Sequence, residues 1–170
     1  MTTSAAGCTA GEKATLHASL DRHRDAVLWK LDGLDDEQLR RPMTPTGTTL
    51  LGLVKHLGSV EYGWLVETFG REVEPLWFDP YENEDLHIAP DETAEQIIAF
   101  YGRARAAADR TITELPLDAV GRPMWREHSV SLRWTVVHMI EETARHAGHM
   151  DILRELMDGR PGTTARSRRR

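Results

Sequence analysis

Beginning at Val137, the stretch VHMIEETARHAGHMDILRE places His138, Glu142, His146 and His149 at spacings of four, four and three residues. On an α-helix these side chains fall within about 80° of one another, along one edge of the apolar stripe. Imidazole and carboxylate on successive turns of one face are neighbours, and such pairs suit a divalent metal ion. One ion cannot take all four, because Glu142 and His149 stand about 10 Å apart along the axis at roughly 1.5 Å per residue. The spacing therefore leaves three pairs open: His138/Glu142, Glu142/His146 and His146/His149. A third ligand must come from another helix, and the candidate is His56, which lies between Leu53 and Val60 in an otherwise apolar strip.

The other histidines carry less. His17, His87 and His128 have no partner pattern and read as surface residues, while His23 falls on the inner stripe of the first helix and could border a pocket. Glu61 lies on the inner stripe of its helix with Val54, Leu57 and Trp64. A carboxylate there needs a partner, since an unpaired buried charge is costly. Arg145 and Arg133 are the candidates, and a structural ion pair is the simpler reading than a catalytic role.

Four periodic segments have to position these groups. The first spans about residues 11–33, with Leu16, Leu20, Val27, Leu31 and Leu34 on one stripe and Gly33 as the C-cap; a short helix at 35–40 follows. The second spans about 48–69, capped by Thr48 or Thr49 and ended by Gly70. The third starts near Asp91, in PDETAE, and ends by Pro116; the fourth spans 131–158, from a Ser131 cap to Gly159 and Pro161. No segment alternates convincingly as a strand does. Four amphipathic helices predict an all-α, up-and-down four-helix bundle. The connections at 70–90 and 116–130 are long, and long connections often line a site.

Composition bounds the rest. The 170 residues make one domain with tails: a flexible N-terminus at 1–10, the bundle at 11–160 and a disordered basic tail at 161–170. The net charge is −6, yet five arginines lie in the last eleven residues, which hold no Asp or Glu, so the body is more acidic still. An acidic body is a poor match for a phosphate backbone, so nucleic acid is not an expected partner. There is no long apolar run for a membrane span. The lone cysteine, Cys8, excludes an internal disulfide and a cysteine-based zinc site, and the start MTTSAAGCTAGEK lacks the basic and apolar regions of a signal peptide. A cytoplasmic protein is expected.

Two segments, RPMTPTGTTLLGLVKHLGSVEYGW from Arg41 and MIEETARHAGHMDILREL from Met139, resemble the DinB/YfiT-like superfamily. Within it they are similar to the actinobacterial branch typified by the mini-circle protein. The resemblance covers about residues 12–160. It implies a four-helix bundle, often a homodimer, holding a divalent metal through one histidine of the second helix and two residues at i, i+4 of the last. Relatives that use mycothiol have His, Glu and His, which fall on His56, Glu142 and His146 here. His138 and His149 lie outside that pattern. His149 stands where many members have glutamine, which implies an outer-sphere or substrate-facing place. Trp29 and Trp134, outside the inner faces, fit a dimer surface.

Two imidazoles and one carboxylate leave a divalent ion with a net charge of +1 and an open position, the ligand set of catalytic zinc, with nickel and iron as alternatives. A thiol has a pKa of about 8.5 in water, and a metal deprotonates it outright. The resemblance implies that chemistry too: a low-molecular-weight thiol such as mycothiol, activated for transfer to an electrophilic acceptor or for isomerisation. Cys8 is too near a terminus to be that thiol. Trp64, Trp77, Phe78 and Tyr81 could line the pocket mouth, though scattered aromatics are more often packing. Two other readings stay open: another metalloenzyme (a hydrolase or a non-haem iron enzyme) and a non-catalytic metal-binding stress protein.

Overall fold

The computed structural model describes residues 10–160. Apart from residue 10, the tails expected at 1–10 and 161–170 lie outside the described residues. Five α-helices run in the order α1 (Glu12–Trp29), α2 (Asp36–Arg40), α3 (Leu50–Glu61), α4 (Ala94–Glu114) and α5 (Leu132–Asp158). The four longer ones form the expected all-α bundle. α1 lies against α5, α3 lies against α4, and α3 also touches α5, which is the contact the candidate site requires.

The helix starts follow the cap chemistry of the sequence. The side chains of Thr49, Thr93 and Ser131 each accept a backbone N–H from the first turn of α3, α4 and α5, and Asp35 forms a capping box with Gln38 at α2. At its far end α5 stops on Gly159, in the left-handed region at φ 73°. The inner positions of α5, Leu132, Val136, Met139, Thr143, Ala147 and Met150, are all buried.

Three expectations need correction. α1 ends at Trp29, not at Gly33; a tightened turn carries Lys30 to Leu34 before the chain reverses, and Gly33 takes its positive φ within that turn. The second helix is not regular to Phe69. It passes at Glu61 into a π-helical turn, Tyr62–Val66, and then a 3-10 turn, Glu67–Phe69, before Gly70. The extra residue lets Tyr62 and Val66 join the buried cluster around Phe100 while Trp64 and Leu65 join the one around Leu132. The chain also has a little strand: Val120–Gly121 pairs antiparallel with Val130–Ser131, too short to alternate visibly.

The buried polar residue of α1 is Arg24, not its neighbour His23, which is half-buried. Arg24 grips Glu61 with two hydrogen bonds of 2.6 Å, one from Nε and one from Nη2. Its remaining arm reaches Asp21 and Asp109 at 2.8 and 2.7 Å. Glu61 is therefore half of a structural ion pair inside the bundle. Neither proposed partner is involved: Arg133 pairs with Glu12 on the surface, and Arg145 is exposed. His17 is also more than a surface residue, with Nε2 at 2.8 Å from Asp109 Oδ1 and only 25% of its side chain exposed.

Candidate metal centre

α3 and α5 bring together His56, Glu142 and His146. One ligand atom from each lies within 4.8 Å of the other two. Glu142 Oε1 stands 2.8 Å from His146 Nε2 and 3.6 Å from His56 Nε2, and the two imidazole rings meet edge to face at 4.9 Å. Ligands of a tetrahedral ion at zinc–nitrogen distances lie roughly 3.3 Å apart. Glu142 stands within about half an ångström of that spacing from each histidine, and the donor set is one that a divalent ion takes. All three side chains are between a tenth and a quarter exposed, so the cluster is sheltered but reachable.

Electrostatics at the cluster follow from burial and mutual charge. Burial pushes the Glu142 carboxyl up, but the hydrogen bond from His146 and the nearby charges of His146 and His56 outweigh it and leave the group below the usual carboxylate value. Burial holds the His146 ring below the ordinary 6.5, His56 adds to this, and Glu142 opposes it. The opposite case is His17, raised above 6.5 by its hydrogen bond to Asp109 against the pull of burial. The His17–Asp109 contribution to stability is full below pH 6.5 and fades as pH rises through the raised midpoint, whereas protonating His146 on acidification works against the fold. In an NMR titration of the metal-free protein, the His146 midpoint is expected below 6.5 and that of His17 above it; the reverse order would contradict this assignment.

The other candidates are placed around the trio rather than in it. His149 is exposed and lies behind His146, with the two Nδ1 atoms 3.4 Å apart. His138 packs on Trp134, nearly parallel at 5.0 Å, and edge-on to Trp64 at 4.5 Å. Glu61 belongs to the Arg24 pair, and His23 lines no part of the cavity described next.

A cavity of about 920 Å³ opens beside the cluster. Of the trio, only His56 lines it. Trp64, Trp77, Phe78 and Tyr81 all contribute walls, joined by Trp125, which the sequence did not single out. Both long connections thus line the site. Gly63 makes room for the last of these: a Cβ there would come within 3.0 Å of the Trp125 ring. Among the described residues, the lining holds Glu67, Glu74, Asp79, Glu84 and Asp85 but no lysine or arginine. Asp85, also missed in the sequence, places Oδ2 at 2.7 Å from His56 Nδ1. A second group, His17, Asp21 and Asp109, is equally close, but Arg24 already occupies its carboxylates.

The family model described as mycothiol-S-transferase matches residues 15–159. No curated protein matches the chain. Among solved structures, a conserved protein from Enterococcus faecalis is similar in fold, with a TM-score of 0.61 and 15% identity, covering 88% of this chain and 98% of that one. No helix among the described residues is long and apolar enough to cross a membrane.

Proposed function

The chain belongs to the mycothiol-S-transferase family, a DinB/YfiT-like family, and from that premise we propose that it is a divalent-metal-dependent enzyme that activates a thiol of the mycothiol type for transfer to an electrophile. The observation that carries the reading is the convergence of His56, Glu142 and His146 at the edge of an aromatic cavity. Three protein ligands of this kind suit a catalytic zinc site, whereas a structural site closes with four. A divalent ion held there would supply Lewis acidity, bringing a thiol pKa from about 8.5 to below neutral.

The chain's own residues then select the thiol. Glu67, Glu74, Asp79 and Glu84 accept hydrogen bonds, and Trp64, Trp77, Tyr81 and Trp125 offer flat apolar faces. A thiol whose body carries hydroxyl and amide groups, as mycothiol does, satisfies both. One bearing free carboxylates, such as glutathione, meets like charge from Glu67, Asp79 and Glu84, while Arg103 is taken up by Glu74 and Arg126 by the Trp64 ring. His149, behind His146, is placed to hydrogen-bond that ring rather than to ligate with it. The proposal includes zinc as the metal, the cytoplasm as location and a homodimer, for which Trp134, 40% exposed, is a candidate contact.

The test is thiol consumption by metal-loaded protein in the presence of an electrophile. Mycothiol should be consumed at least about tenfold faster than glutathione, the scale of a like-charge penalty near 1.4 kcal/mol. Chelation should abolish the reaction. Consumption indifferent to chelator, or none with any low-molecular-weight thiol, would overturn the proposal, the latter in favour of a non-catalytic metal-binding role.

A further inference from the structure

Asp85 comes from the connection between α3 and α4, yet it touches a residue of the trio. It is 5% exposed, and a carboxylate only accepts hydrogen bonds, so His56 Nδ1 must carry the proton it donates to Asp85. In the neutral ring that leaves the Nε2 lone pair free on the side facing Glu142. The 3-10 turn bearing Asp85, Glu84–Leu86, is too short to place itself.

What places it is Lys55, beside His56 on α3 and 2% exposed. Its ammonium donates to the carbonyls of Glu84 at 3.0 Å and His87 at 2.9 Å, one on each side of Asp85. Its third partner is Glu92 Oε1 at 2.7 Å. All three protons of the ammonium are thereby satisfied. Glu92 is buried as well, and its other bonds tie down the same connection: the Trp77 indole N–H donates to it at 2.5 Å and the Ala89 N–H at 2.6 Å. One turn before His56, Gly52 lets the turn come close, since a Cβ there would collide with the Leu86 carbonyl oxygen. A buried ion pair adds little to stability over apolar residues of the same volume. Its hydrogen bonds to one particular turn are what an apolar pair could not supply.

We propose that Asp85 is a positioning residue that fixes the His56 tautomer with Nε2 free toward Glu142 and His146, and that the buried Lys55–Glu92 pair holds Asp85 in place while fixing Trp77 on the cavity wall. The consequence for metal affinity rests on the metal-site reading; the tautomer is a property of the metal-free protein and does not.

Two measurements test it. Long-range nitrogen–proton NMR of the metal-free protein, above the histidine titration range, should show His56 as the Nδ1–H tautomer, and Asp85→Asn should shift it to a mixture or to Nε2–H. Zinc affinity, by competition with a chelator, should fall about 10–100-fold in Asp85→Asn, the usual range for loss of a ligand's outer hydrogen-bond partner. The double variant Lys55→Met/Glu92→Gln removes both charges, so that neither is left buried alone. With helical content retained, it should produce the same tautomer shift. An Nε2–H tautomer in the wild type, or an unchanged tautomer and affinity in Asp85→Asn, overturns the role of Asp85. A shift in Asp85→Asn but not in the double variant overturns the role of Lys55 and Glu92. If the wild type shows the tautomer and its shift but binds no zinc, the positioning stands and the metal reading falls.

Discussion

His146→Ala is expected to abolish zinc binding, while His138→Ala leaves it within about twofold. Removing only an outer partner of a ligand costs about 10–100-fold in affinity, so removing one of three ligands should cost more than about 100-fold. His146 Nε2 lies 2.8 Å from Glu142 Oε1 and its ring meets that of His56 edge to face, and no described residue on α5 can replace it: His149 reaches His146 from behind, and His138 is engaged with Trp64 and Trp134. The two histidines share a helix and are similarly spaced from Glu142, so the comparison separates ligand geometry from a general effect of losing an imidazole. Chelator competition gives both affinities; equal losses in the two variants would contradict the assignment.

The largest effect on stability should come from Arg24→Met. The Glu61 side chain is 1% exposed, and Arg24 is its cation. Breaking a buried pair by removing one partner costs about 3–5 kcal/mol, a large share of the roughly 5–15 kcal/mol that holds a domain together. Arg24→Met also leaves Asp21 and Asp109 without their shared arginine, though both are partly solvated. Urea unfolding should show the loss, and the double variant Arg24→Met/Glu61→Gln should recover much of it, because no uncompensated charge is then buried. A cost below about 1 kcal/mol for Arg24→Met would contradict the pairing as the main support of the buried Glu61 carboxylate. Because Glu61 lies outside the metal cluster, whatever folded protein remains should bind zinc normally.

How much of this the sequence carries differs from element to element. The starts of α3, α4 and α5 were legible because each cap is a local event, a side chain bonding an N–H three residues on. Glu142 and His146 were legible as neighbours because helix geometry alone sets them on adjacent turns, and His56 as a polar interruption of an apolar strip. The choice of that trio among the open pairs needed the family resemblance, since periodicity on α5 does not say which turn faces α3. The partner of Glu61 was not legible: Arg24 lies 37 residues earlier, in a helix rich in charge, and only the packing of α1 singles it out. Asp85 and Trp125 come from connections without any period. Asp85 is one of several carboxylates between Asp79 and Asp91, and only Lys55, from a different element, distinguishes it. The π turn was hidden for a similar reason. Tyr62, Trp64, Leu65 and Val66 are all buried, and a run of apolar residues does not reveal which cluster each will join.

The measurement that bears most directly on the account is X-ray absorption at the zinc edge of the loaded protein, before and after addition of mycothiol. The account predicts only nitrogen and oxygen neighbours at about 2.0–2.2 Å in the first spectrum, with imidazole scattering from two histidines. In the second it predicts one sulfur neighbour at about 2.3 Å, contributed by the added thiol. A sulfur neighbour before any thiol is added, or none after a saturating amount, would contradict it.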